Sequence, residues 1–388
     1  MNRFTIPRDI YFGENALEVL NTVAGKKALI VIGGGSVKKN GNLDQIEGYL
    51  SEAGLETKVL EGVTEEPSTD LINKYLDEVN DFAPDWIIGV GGGSPMDAAK
   101  ALWLFYEHPD LTFQEAVEPF QLPELRNKTK FIGIPTTSGT ASEISNLSVI
   151  TDSETGVKYP LASFELTPDL AIIDPVMVES MPKEVIAYSG MDAVTHSIEA
   201  YVAKPRTTFT DSLSIEALDI LNQNLLASYN GEEAAREKVH YAQAMAGMAF
   251  ANAVLGNVHS MAHKSGPTFG IPHGCANGIY LPYVIQFNRS VVEDRYAALA
   301  RRIGLVGSND KELVDSLIEW VRDLNKAMEV PNNLKDFGIE EALFHDHVDK
   351  MAENAVEDPC TGTNPRETSK EEMKDLFTAA YHGKAVTV

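Results

Sequence analysis

Two short apolar runs that end on glycine triplets constrain this chain most. Lys27-Ala28-Leu29-Ile30-Val31-Ile32 runs into Gly33-Gly34-Gly35-Ser36, and Asp85-Trp86-Ile87-Ile88-Gly89-Val90 runs into Gly91-Gly92-Gly93-Ser94-Pro95. Each reads as a buried strand delivered straight into a tight turn and a helix. Helical runs are expected over 43–53, 71–80 and 96–105, and further strands over 56–60 and 131–134. Strands alternating with helices predict a parallel sheet covered on both faces. Gly91 to Ser94, with Pro95 suited to the first helical turn, has the makings of a phosphate cradle, because free N–H groups and a helix start favour an anion. The same glycines also describe a turn that binds nothing, and neither turn fits the G-x-G-x-x-G fingerprint. The strand at 131–134 opens onto Pro135-Thr136-Thr137-Ser138-Gly139-Thr140-Ala141-Ser142-Glu143. That loop carries five hydroxyls at a strand's C-terminal end, where open α/β sheets bind ligands, and Thr140 with Glu143 reads as a capping box.

Beyond about residue 180 the strand pattern stops. Helical runs are expected over 185–203, 210–228, 231–253, 291–304, 311–327, 339–354 and 370–382. The expected organisation is therefore a nucleotide-binding α/β domain, 1–180, and a helical domain, 181–388. In the helical half, Asp192 and His196 stand four apart, as do His259 and His263. Each pair then shares one helix face. Gly266-Pro267 is expected to end the second of these helices, and Gly270-Ile271-Pro272 to bend the chain before His273. One histidine in an apolar helix is usually a packed core residue. Two such pairs and a Pro-His-Gly corner instead suggest a divalent-metal cage between helices, facing a cleft over the nucleotide site. By ligand type Fe²⁺, Zn²⁺, Co²⁺ and Ni²⁺ suit it equally.

The formal charge of -25 argues against nucleic acid or an anionic membrane as partner. No run is apolar enough to span a bilayer, and the N-terminal stretch has no apolar signal core. The two cysteines, Cys275 and Cys360, lack metal-finger or redox spacing, so a cytoplasmic, reducing setting is expected.

Five segments carry a resemblance: GGGSPMDAAK (91–100), PTTSGTASE (135–143), GMDAVTHSIEAY (190–201), VHSMAHKSGPTFGIPHGCAN (258–277) and CTGTNPR (360–366). Over essentially its whole length the chain resembles the iron-dependent, or group III, alcohol dehydrogenases. The last four segments look closest to the alcohol dehydrogenase half of bifunctional aldehyde-alcohol dehydrogenases. GGGSVKKNG (33–41) looks more like the NADPH-using butanol dehydrogenase branch. The resemblance implies the dehydroquinate synthase-like fold, an α/β dinucleotide-binding domain plus an all-α domain. It implies hydride transfer between a nicotinamide cofactor and a small primary alcohol or aldehyde, with aldehyde reduction the expected direction. A glycerol- or 1,3-propanediol-type polyol dehydrogenase is the alternative, and a metal-dependent lyase on the same scaffold a more distant one. It assigns the metal, Fe²⁺ by family and Zn²⁺ or another divalent ion by chemistry, to Asp192, His196, His259 and His273. His263 matches an extra histidine near the reacting carbons, a catalytic position and not a ligand. Gly33, Gly34, Ser36, Gly92, Gly93, Ser94, Asp97, Thr136, Thr137, Thr140 and Lys158 form the implied cofactor set. Phe250, Phe269 and Cys360 form the implied substrate pocket, with residues 358–366 as a loop at its mouth. A homodimer or larger assembly is a family expectation. Ala141 departs from the glycine many members carry there.

The expected coenzyme is NADP(H) in preference to NAD(H). NAD-preferring relatives carry an aspartate just after the first strand, where this chain has Gly33. No carboxylate follows until Asp44, and Ser36, Lys38 and Lys39 could hold a 2′-phosphate.

Overall fold

A computed structural model describes residues 3–63 and 67–386. Contacts divide the chain into two units, Met1–Met181 and Pro182–Val388. The first unit holds β1 (Asp9–Phe12), β2 (Lys27–Ile32), β3 (Glu56–Leu60), β4 (Trp86–Gly91), β5 (Lys130–Pro135), β6 (Leu147–Thr151), β7 (Lys158–Ala162) and β8 (Leu170–Ile173). Its helices are α1 (Ser36–Lys39), α2 (Asn42–Glu52), α3 (Thr69–Phe82), α4 (Gly93–Glu107) and α5 (Phe113–Ala116).

Six strands pair in the order β1-β8-β5-β4-β2-β3, every neighbouring pair parallel, while β6 and β7 form a separate antiparallel hairpin. Along β2 the side chains alternate. Leu29 and Val31 join Ile87 and Phe131 against Ile72 and Val79 of α3 and Leu102 and Trp103 of α4. Ala28, Ile30 and Ile32 join Ile88 and Ile132 against Ile46 and Leu50 of α2 and Leu17 and Leu20. A strand buried on both faces has no polar side to show, which is why the run reads as continuous. Each such Ile or Leu stabilises the sheet by roughly 1.5–3 kcal/mol.

From β2 the chain proceeds to β3 on one flank and to β4 and β5 on the other, so the strand order reverses between β2 and β4. Ligands of open α/β sheets bind beyond the carboxyl ends of the strands at such a reversal. The loops there are the two glycine-rich turns. Ile32 pairs with Val90 and Gly91 with Pro135, so the ends of β2, β4 and β5 lie side by side.

The second unit is helical: α6 (Lys183–Val202), α7 (Thr208–Tyr229), α8 (Glu233–Ala253), α9 (Asn257–Phe269), α10 (His273–Arg302), α11 (Asp310–Ala327), α12 (Leu334–Phe337), α13 (Glu341–Val356), α14 (Pro359–Thr363) and α15 (Lys370–His382). No helix among the described residues is long and apolar enough to cross a membrane.

Several local expectations are corrected. Helix α9 does not stop at Gly266-Pro267 but carries Pro267 inside it and ends at Gly270, φ 67°. A proline removes one N–H; a residue in the left-handed region is what turns the chain away. The helix expected over 291–304 is present: α10 is two helices run together, broken by non-helical backbone at Val292 (φ -138°, ψ 32°). The loop expected over 358–366 contains the short helix α14, capped by Asp358. Thr140 and Glu143 form no capping box, since no helix starts there. Thr140 Oγ1 instead accepts from the Ser142 N–H at 3.4 Å, and Ala141 takes a left-handed φ of 51°.

Candidate active site

Helix α6 presents Asp192 and His196 one turn apart, α9 presents His259 and His263 one turn apart, and His273 is the first residue of α10. What brings α10 this close to α6 is Gly274. A Cβ there would stand 2.0 Å from the Tyr188 carbonyl oxygen and 3.3 Å from the Asp192 Cβ, so only glycine fits.

Asp192 Oδ1 is the hub. The Nε2 atoms of His196, His259 and His273 lie 3.5, 3.6 and 3.7 Å from it. Donor atoms of Asp192, His196 and His259 all fall within 4.8 Å of one another, and His273 reaches the group through Asp192. A tetrahedral ion with bonds of about 2.0–2.2 Å holds its donors about 3.3–3.6 Å apart. The three distances to Asp192 come close to that spacing, and neutral imidazoles with one carboxylate suit a divalent transition ion, so the residues fit the group.

The electrostatics agree. Burial alone would raise the Asp192 pKa, but the three imidazoles outweigh it and hold the carboxyl well below the usual range. Burial opposes a proton on His259, yet hydrogen bonds to Asp192 and Glu199 push that imidazole up to about 9. His273, with 42 % of its side chain exposed, is pushed down by desolvation of its inner edge and by the neighbouring imidazoles, against the pull of Asp192.

Sequence reasoning missed the residues that aim these ligands. Glu199 Oε2 lies 2.6 Å from His259 Nδ1, and its Oε1 accepts from the Val258 N–H at 2.8 Å. With Nδ1 so engaged, the Nε2 lone pair is left for the centre. Glu199 follows His196 by three on α6, so extending the i, i+4 reading one turn to i+7 would have found it. Asn277 follows His273 by four on α10, and the same rule reaches it. Asn364 Oδ1 caps the Asn257 N–H at 3.2 Å and pairs with Asn288, tying the segment after α14 to the start of α9.

Of the other expected residues, His263 stands beside the cluster, its ring stacked on His273 at 5.5 Å. Its Nδ1 lies 3.1 Å from Asp358 Oδ2, which Lys264 Nζ also reaches at 2.9 Å. Cys360 joins them: donor atoms of His263, Asp358 and Cys360 lie within 4.8 Å of one another. Burial, then the charges of Asp358 and Glu199, hold the Cys360 thiol well above its ordinary pKa, so it stays protonated. Phe250 stacks on His196 at 4.3 Å. Phe269 does not join the group; six residues beyond His263, about 9 Å along the helix, it packs edge-on against His347.

In the first unit, Gly92, Gly93 and Ser94 form the turn and first residues of α4, while the Thr136 N–H bonds to the Gly91 carbonyl at 2.9 Å. Thr137 and Thr140 pack over Gly92 and Gly93, at 3.3 and 3.5 Å from the positions a Cβ would take. Asp97 Oδ2 accepts from the Val149 N–H of β6 at 3.2 Å. Lys158 lies on β7, paired with Thr151 across the hairpin. At the end of β2, Gly34 and Ser36 are exposed, and a Cβ on Gly33 would meet Pro95 Cγ at 2.8 Å and the Val63 carbonyl at 3.0 Å. Lys38 pairs with Glu61, just past β3, while Lys39 is exposed. Beneath the threonine loop the fully buried Lys100 Nζ donates to the carbonyls of Ser145 (2.6 Å) and Leu147 (2.9 Å).

A parallel sheet with open phosphate-type turns, and a buried His/Asp cage on a helical unit, define a metal-dependent enzyme of the dehydroquinate synthase-like fold. The chain belongs to the iron-containing alcohol dehydrogenase family: residues 7–175 match the model "Iron-containing alcohol dehydrogenase" and residues 186–381 the model "Fe-containing alcohol dehydrogenase family, C-terminal". It is 54 % identical over 386 residues to an NADPH-dependent butanol dehydrogenase of Clostridium saccharobutylicum, with 100 % of each chain covered. It is 40 % identical to the bifunctional aldehyde-alcohol dehydrogenase of Escherichia coli, matching 98 % of this chain and 46 % of that one. Among solved structures it superposes on an iron-containing alcohol dehydrogenase of Thermococcus thioreducens (TM-score 0.92, 39 % identity, 98 % and 100 % covered). A 1,3-propanediol oxidoreductase gives a TM-score of 0.92 at 33 % identity, with 98 % and 100 % covered.

Proposed function

We propose that this family member reduces small primary aldehydes with NADPH, using a divalent ion, Fe²⁺ by family, held by Asp192, His196, His259 and His273. The observation that carries the reading is the convergence of three Nε2 atoms on Asp192 Oδ1 at 3.5–3.7 Å. Such an ion supplies Lewis-acid polarisation of a carbonyl oxygen. Glu199 fixes the His259 tautomer. Asp358 holds His263 through Nδ1, leaving Nε2 as the atom that exchanges a proton with the substrate oxygen. Phe250 walls the substrate, and the buried Cys360 lies beside His263. The turns at Gly33–Ser36 and Gly92–Ser94, with Asp97, Thr136, Thr137, Thr140 and Lys158, take the coenzyme. NADPH preference is supported by the butanol dehydrogenase relative and by the lack of a carboxylate in the β2 turn. Glu61, just past β3, is paired with Lys38 of α1.

Nicotinamide turnover with C2 to C6 aldehydes and alcohols, with glycerol and 1,3-propanediol as polyol controls, tests the reading on Fe²⁺-loaded protein. NADPH-driven reduction of a primary aldehyde is expected. No turnover, or faster reduction with NADH, would overturn it. Assembly of two or more copies belongs to the same reading. It is supported by edge strand β1, whose Tyr11 and Phe12 are exposed, and is tested by sedimentation. A cytoplasmic setting is supported by two free cysteines.

A further inference from the structure

Asn277 is fully buried, one turn into α10 from His273; it closes the 258–277 segment, which assigns it no role. Its Nδ2 lies 2.8 Å from Asp192 Oδ1 and 3.1 Å from both His259 Nε2 and His273 Nε2. Its Oδ1 is buried and has no hydrogen-bond partner. The amide therefore points its nitrogen at the lone pairs on which a metal would draw.

Counting lone pairs shows what this does. An amide nitrogen has two hydrogens and here faces three acceptors. A neutral imidazole Nε2 has one lone pair, which can serve either an N–H or a metal. A carboxylate oxygen has more than one and can serve both. In the metal-free chain the two amide hydrogens serve Asp192 and one imidazole at a time, which keeps the ligands converged on Asn277. Once an ion takes the imidazole lone pairs, only the bond to Asp192 survives, and it fixes that carboxylate.

We propose that Asn277 is a positioning residue of the metal centre, gathering Asp192, His259 and His273 before the ion arrives and anchoring Asp192 afterwards. The inference rests on the metal reading above. Orienting partners of this kind typically alter metal affinity 10- to 100-fold.

The probe is Co²⁺ alone, added to the metal-free full-length chain, with no coenzyme and no turnover. The ligand-field absorption of the bound ion and its rate of loss to EDTA are read together. Asn277→Leu, similar in size and without the donor, should lose Co²⁺ at least tenfold faster than wild type and show a shifted ligand-field band. Asn277→Asp places a carboxylate where the amide nitrogen stands and should bind Co²⁺ more tightly, with a metal-free form that melts lower, because two carboxylates then face each other. Loss rates within twofold of wild type together with an unchanged band in the Leu variant would overturn the proposal. If the Leu variant does not fold, the Asp variant decides, and Co²⁺ binding no tighter than wild type overturns it. Wild-type protein that binds no Co²⁺ would overturn the metal reading itself, a failure distinct from variants that match a metal-binding wild type.

Discussion

Replacing Glu199 by glutamine changes one oxygen to an amide group and should dismantle a metal ligand. The glutamate accepts two hydrogen bonds, from the Val258 N–H at 2.8 Å and from His259 Nδ1 at 2.6 Å, and is 3 % exposed. Glutamine has a single oxygen. If it stays on Val258, the amide N–H faces Nδ1, which must become the acceptor. The ring proton then moves to Nε2, and the lone pair aimed at the centre is gone. If the oxygen turns to His259 instead, the amide N–H faces the N–H of Val258. Either arrangement forfeits one buried, charge-assisted hydrogen bond, about 1.5–3 kcal/mol, or roughly 10- to 150-fold in metal affinity. Anaerobic competition for Fe²⁺ between protein and a chromophoric chelator measures this directly. Fe²⁺ affinity in Glu199→Gln within threefold of wild type would refute the tautomer argument, since no placement of the amide preserves both bonds.

The other predictions concern single positions. His263→Ala should keep most of its iron while losing rate, whereas His273→Ala should lose iron; equal loss in both would show His263 to be a ligand. An aspartate at Gly34, where a side chain meets none of the described residues within 4 Å, should lower kcat/KM for NADPH relative to NADH by tenfold or more. An aspartate at Gly33 must displace Pro95 and the Val63 carbonyl and should weaken both coenzymes alike. An unchanged coenzyme ratio in Gly34→Asp would remove the β2 turn from coenzyme choice. Burial pushes Lys100 down from 10.5 to about 8, against the pull of Asp97 and Glu143. Between those values the unfolded chain binds more protons, so stability rises with pH from about 8 to about 10.5, and below 8 the cost is fully present. Chemical denaturation should show wild type gaining about 3 kcal/mol on Lys100→Met across that window; parallel profiles would contradict it.

Helices with a clear apolar period were legible from sequence to within a residue or two, as α11 and α15 show, and so were β2, β4 and β5, whose apolar runs are bounded by turns. What escaped was short or borrowed. Strands β1 and β8 are four residues each and gain their order from pairing with each other, Asp9 with Leu170 to Phe12 with Ile173, which no local pattern announces. Gly270-Ile271-Pro272 reads as a bend before His273, and Pro272 is also the cap from which α10 starts, so the bend and the helix start are one event. At the site, the His/Asp pairs were legible because four-residue spacing shares a face. Glu199 and Asn277 carry the same spacing, but a carboxylate or amide on a helix is ordinary until a partner from another helix is seen against it. Asp358 shows the limit: it meets His263 across ninety-five positions of chain, and only folding brings them to 3.1 Å.

Gly274 gives the site a mutational exposure that a list of ligands hides. With a Cβ position 2.0 Å from the Tyr188 carbonyl oxygen, it works as a gauge block between two helices. Even a methyl group would pry α10 from α6 and carry His273 off with it, leaving every ligand present in the sequence. The codon for the smallest residue is therefore as exposed to loss of function as those for the imidazoles, and a chain that keeps Asp192, His196, His259 and His273 but not Gly274 would be a relic that looks intact.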